Sequence, residues 1–95
     1  MSQSSVKSKI RRDPQIDTTT MPDGYAILVL KKTDWAYTIN PLAAIVWEFC
    51  DGENTPEQIV EHIQSLEGLE HRPGLQEEVF QLIDKFVEDG LIFDD

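Results

Sequence analysis

The hydrophobic and polar positions divide the chain into a strand-like half followed by a helix-like half. Residues 14–21 carry Ile16, three consecutive threonines and Met21. This composition favours extended backbone, because side chains branched at Cβ fit a pleated strand. Pro22, Asp23 and Gly24 supply a turn. Residues 25–32 are apolar on both faces, which predicts a central strand covered on each side. After a turn at Thr33 and Asp34, residues 35–39 alternate, with Trp35, Tyr37 and Ile39 on one face and Ala36 and Thr38 on the other. Together these segments predict an antiparallel three-stranded meander.

The period then changes. Asn40 is a helix cap and Pro41 suits the first turn, where a missing N–H costs nothing. The following run, Leu42 to Cys50, is broken only by Glu48. A helix apolar almost all round must be buried almost all round, and Asp51 with Gly52 is expected to end it. Thr55, Pro56 and Gln58 form a capping box for a second helix. Its inner stripe is Ile59, Val60, Ile63 and Leu66, and Gly68 stops it before a loop at residues 69–73. A third helix is predicted over residues 75–89, closed by Gly90, with a short extended end at residues 91–93. On a wheel of about 100° per residue, Leu75, Val79, Leu82 and Phe86 point at the core. Phe80, Ile83 and Val87 widen that apolar arc beyond what one core contact needs. That flank is either covered by the sheet or lines a groove.

Charge adds a constraint. Eighteen acids against eight lysines and arginines give a net charge of −10 over 95 residues, enough chain for one domain. Residues 1–12 hold four cations and no acid, leaving −14 for the rest. Residues 1–11 read as a flexible basic tail and residues 12–95 as the domain. Such an acidic body argues against nucleic acid and anionic membrane as partners. No apolar run approaches a membrane span, and no signal core precedes the domain, so the expected address is cytoplasmic. One cysteine excludes an internal disulfide framework.

The usual chemistry is missing. His62 and His71 lack the spacing of a helical metal pair, and Cys50 on a core helix is expected to be buried and inert. There is no glycine-rich phosphate loop, and the paired acids Glu77 with Glu78 and Asp94 with Asp95 read as solvated surface. The expectation is therefore no enzyme, no cofactor and no metal.

One ordered set of motifs stands out. The segments Tyr37-Thr-Ile-Asn40, a small residue at 43 or 44, Ile45-Val-Trp-Glu-Phe-Cys-Asp-Gly52, Thr55-Pro-Glu-Gln-Ile59, Glu78-Val79 and Gly90-Leu91-Ile92 resemble the coenzyme PQQ synthesis protein D (PqqD) family. Arg12-Asp13-Pro14 is similar to that family's basic entry to the first strand. The resemblance implies an α+β fold, a small winged helix-turn-helix-like domain in which a three-stranded antiparallel sheet precedes three helices. It also implies a peptide chaperone for ribosomally made, modified peptides. Such a chaperone holds the leader segment of a precursor as an added strand and presents it to a modifying enzyme such as a radical S-adenosylmethionine maturase. The product is PQQ or another modified peptide.

Carried onto this chain, the leader would lie between the strand at residues 35–39 and the helix at residues 75–89. The expected peptide-binding residues are Trp35, Ala36, Tyr37, Thr38 and Ile39 on the strand. On the helix they are Phe80, Ile83 and Val87 as a wall, with Gln76 and Asp84 at its rim. The acidic body favours a leader with some Lys or Arg, mainly through association rate. The expected assembly is a monomer or weak homodimer. The rival classes are a winged-helix DNA-binding regulator and a scaffold or dimerisation subunit of a maturase. The acids Glu77, Glu78, Asp84 and Glu88 on the would-be recognition helix oppose the first.

Overall fold

The predicted meander is present in the computed structural model, which describes residues 8–66 and 72–94. Numbering strands in chain order, β2 (Ile16–Thr20), β3 (Ala26–Leu30) and β4 (Trp35–Ile39) form one antiparallel sheet in the order β2-β3-β4. Leu28 sits opposite Thr18 on one side and Tyr37 on the other, so these three share the inner face. Ala26 and Leu28 are buried there.

The outer face differs from expectation. Ile27 and Val29 are half-buried between Asp17 and Thr19 of β2 and Ala36 and Thr38 of β4. Among the described residues no second layer covers them. Branched neighbours on a pleated surface shelter one another partly without one, so apolar residues on both faces did not require two covered faces.

The helices begin as their caps dictate. In α1 (Pro41–Phe49) the Ala43 N–H donates to Asn40 Oδ1 at 2.8 Å. Leu42, Ala43, Ala44, Val46 and Trp47 are buried. Trp47 Nε1 donates to Thr18 Oγ1 at 2.8 Å, tying α1 to β2. In α2 (Pro56–Gln64) the capping box is complete, with Thr55 N–H to Gln58 Oε1 at 2.9 Å and Gln58 N–H to Thr55 Oγ1 at 3.3 Å. The expected stop at Gly68, most of the 69–73 loop and His71 lie outside the described residues.

The third helix, α3 (Leu75–Glu88), closes through a Schellman motif: Leu91 N–H donates to Phe86 C=O at 2.9 Å and Gly90 N–H to Val87 C=O at 3.0 Å. Gly90 holds φ +75, the left-handed geometry that this motif requires. The Phe86 ring meets Trp47 edge-on, 5.4 Å between centroids, joining α3 to α1 at the centre of the core.

A second small sheet was not foreseen. β1 (Ile10–Arg12) lies between β5 (Asp51–Asn54) and β6 (Ile92–Asp94), antiparallel to both. This changes two expectations. Asp51 and Gly52 do not end α1: the helix stops at Phe49 with Cys50 as its cap, and the next residues pair as strand. Gly52, at φ +87, sits where the β1–β5 register shifts, and left-handed backbone there suits glycine.

Two residues expected in the tail, Ile10 and Arg11, lie in β1 instead. Ile10 is fully buried, because an apolar residue in the middle strand of a sheet backed by the core cannot stay in water. Residues 1–7 lie outside the described residues.

Arg12 explains why the chain enters at this point. Its Nη1 donates to Trp47 C=O at 2.8 Å and Glu48 C=O at 2.9 Å, and its backbone N–H donates to Cys50 C=O at 2.9 Å. These carbonyls belong to the end of α1, where helical partners run out and the dipole favours a cation.

Beneath them Cys50 is fully buried, with Sγ 3.2 Å from Val46 C=O. Burial pushes its thiol from 9.0 up to about 12, Arg12 opposing and Asp51 adding to the shift. Between these values the unfolded chain releases a proton that the folded chain keeps, so stability falls as pH rises from about 9 toward 12. Relative to Cys50→Ala, the protein is expected to lose up to about 1.4 kcal/mol per pH unit in that window. Urea titrations of both proteins across this range test the prediction, and a pH-independent difference would refute it.

Candidate functional site

In the order β2-β3-β4, strand β4 has no neighbour on its far side among the described residues. An edge strand turns the N–H and C=O of alternate residues outward, ready to pair with another chain. β4 also lacks the features that usually blunt such an edge. Residues 35–39 contain no charge and no proline, and their register against β3 is unbroken.

Alongside this edge runs a groove of about 260 Å³ between β4 and the C-terminal half of α3. Ala43, Phe86 and Leu91, all buried, form its base. Tyr37, Thr38 and Ile39 line the strand side and Leu82 the helix side. Lys85 and Asp89, also lining it, form an i,i+4 ion pair with Nζ to Oδ1 at 3.4 Å. The sequence places these helix residues together, since Leu82, Lys85, Phe86 and Asp89 recur at the three- and four-residue spacing of one helix side. The groove therefore offers unsatisfied backbone on one wall, apolar surface below, and a narrow charged rim.

Of the residues expected on the strand, Tyr37, Thr38 and Ile39 line the groove, Tyr37 and Ile39 packing partly against the core. Trp35 shares their face but stands 65% exposed at the end of the strand. Ala36 is exposed on the opposite face.

The helix residues expected as a wall lie elsewhere. Ile83 is fully buried and Phe80 nearly so. Phe80 and Gln76 flank a separate hollow against α2, with Val60, Glu57 and Glu61. Asp84 and Val87 are half-buried, Val87 against the core. The flank chosen from the wheel is thus not the one beside β4. Leu82, Lys85, Phe86 and Asp89 take that place. Their sequence signal is the border of the apolar arc, where Leu82 meets Glu78, Lys85 and Asp89.

Other reactive side chains are structurally occupied. His62 stacks on Phe49 at 5.2 Å and its Nε2 lies 3.1 Å from Asn54 Oδ1. Among the described residues no three His, Cys, Asp or Glu side chains are grouped to hold a metal. No helix among them is long and apolar enough to cross a membrane.

The family model for coenzyme PQQ synthesis protein D (PqqD) matches residues 25–92, more than two thirds of the chain. The chain belongs to the PqqD family. That match runs from the residue before β3 to the start of β6, so both walls of the groove are PqqD-type elements. None of the curated proteins matches.

Three solved structures share the fold. Lasso peptide synthetase B1 complexed with the leader peptide has a TM-score of 0.71 at 16% identity, over 90% of this chain and 99% of that one. TbiB1 in complex with the TbiA(beta) leader peptide gives 0.67 at 16%, with the same coverage. The heterocyclase TruD gives 0.69 at 19%, over 93% of this chain but 12% of its own. At these identities the likeness speaks for the fold alone.

Proposed function

We propose that this PqqD-family protein is a leader-peptide chaperone in the biosynthesis of a ribosomally made, modified peptide. The leader segment adds as a fourth strand to β2-β3-β4 along the open edge of β4. Main-chain hydrogen bonds supply sequence-tolerant affinity, and every second leader side chain enters the groove against Leu82, Ile39 and Phe86. The observation that carries this reading is the coincidence of an edge strand free of charge and proline with an apolar groove beside its C-terminal half, residues 37–39. Family membership supports it. So does the fold shared with two proteins solved with leader peptides.

The protein's part is to hold and present; the bond-making belongs to a partner enzyme. The fold it shares with a small portion of a heterocyclase chain fits a module that serves such enzymes. A radical S-adenosylmethionine maturase in the cytoplasm is the partner the family suggests, with PQQ as one product. A duplex-binding role has less support, since the exposed positions of α3 include Glu77 and Glu88 and one cation, Lys85, which is paired with Asp89.

The test is a titration of isotope-labelled protein with synthetic leader peptides of the PQQ and lasso classes, followed by NMR. Shifts are expected at residues 35–39, 82, 85, 86 and 89. Shifts confined to α2, or none with any leader, would overturn the assignment.

A further inference from the structure

The protein as a whole is strongly anionic, but its groove is not. β4 is uncharged, and the two charges lining the groove, Lys85 and Asp89, are paired with each other at 3.4 Å. Glu78, one turn before Leu82 on α3, is paired as well, with Arg72 at 2.8 Å.

We propose that the Lys85–Asp89 pair makes the groove select a leader segment that is uncharged where it passes the C-terminal half of α3. The inference rests on the leader-binding reading and names the chemistry of the segment bound.

In the free protein an exposed i,i+4 pair contributes little. A peptide seated against it strips water away, and the attraction within the pair grows as the local dielectric falls. A charged peptide side chain at that place meets one like-charged partner, breaks the existing pair, and loses its own hydration. An apolar or small polar side chain incurs none of this and gains contact with Leu82 and the methylene stem of Lys85. The net charge of −10 acts at longer range, on the rate of encounter. It does not decide which side chain fits at close quarters.

Selection of random peptides by display on the native protein, Lys85→Met, Asp89→Asn and Leu82→Glu tests this. Circular dichroism first establishes that each variant is folded. On the native protein, binders lost with Leu82→Glu are expected to be poor in Asp, Glu, Lys and Arg at the positions facing α3. Their affinity should change less than about twofold between low and moderate salt. Lys85→Met leaves Asp89 alone and is expected to enrich Lys and Arg severalfold at one peptide position. Asp89→Asn leaves Lys85 alone and is expected to enrich Asp and Glu there. Leu82-dependent binders that carry a charge at this position on the native protein, or a preference unmoved by both variants, would overturn the proposal. A selection yielding no Leu82-dependent binders would overturn the leader-binding reading itself.

Discussion

Trp47→Ala is expected to cost about 3–5 kcal/mol, the range for removing a large aromatic from a packed core. Small domains have about 5–15 kcal/mol in all, so the variant should sit at the edge of unfolding. Three losses coincide at this position. The side chain is 1% exposed, so almost its whole volume becomes cavity. Phe86 loses its edge-on ring partner. The Thr18 hydroxyl loses the indole donor that joins α1 to β2. Thermal unfolding followed by circular dichroism checks the prediction. At about 4–8 °C per kcal/mol for a domain of this size, the midpoint should fall by well over about 10 °C. A fall of less than about 5 °C would mean that Trp47 is not the centre of the core. Trp47→Phe, which retains a ring but not the N–H, should be affected less.

Leu82→Glu is expected to weaken leader binding by about 10- to 100-fold while leaving the fold intact. Leu82 is only half-buried in the free protein, so a carboxylate there remains solvated until a peptide arrives. Burying a leucine side chain contributes about 1.5–3 kcal/mol, and each 1.4 kcal/mol is about tenfold in affinity. Fluorescence anisotropy with a labelled leader peptide gives the number. Gln76→Ala provides the contrast, since that side chain belongs to the hollow against α2 and should leave affinity unchanged. Equal losses in the two variants, or none in Leu82→Glu, would place the peptide elsewhere.

These two residues also illustrate what was legible in the sequence. Trp47 lies in a run so uniformly apolar that its burial follows from composition, and the caps at Asn40, Thr55 and Gly90 are local signals that the fold obeys. The meander was readable for the same reason, because turns and alternation act between neighbours in sequence. The second sheet was not. Its strands are three or four residues long, and Asp51–Asn54 is wholly polar apart from its glycine. They exist because segments far apart in sequence meet, and Arg12 satisfies carbonyls that no local pattern connects to it.

The helix wall was half legible. A wide apolar arc on α3 announced more than one contact, but a wheel has no reference direction. Phe80 and Ile83 turned inward because α2 and the core lie on their side. Leu82, at the other border of the arc, was left to face β4.

The strand pairing of β1 with β6 has a separate consequence. Ile10 is paired with Asp94, so the path into the domain and the path out of it run side by side, about 5 Å apart as antiparallel neighbours do. A unit with its doorway and exit together can be spliced into a surface loop of a larger polypeptide, or tethered by either end, without crossing its own body. β4 belongs to the other sheet, so neither β1 nor β6 pairs with it.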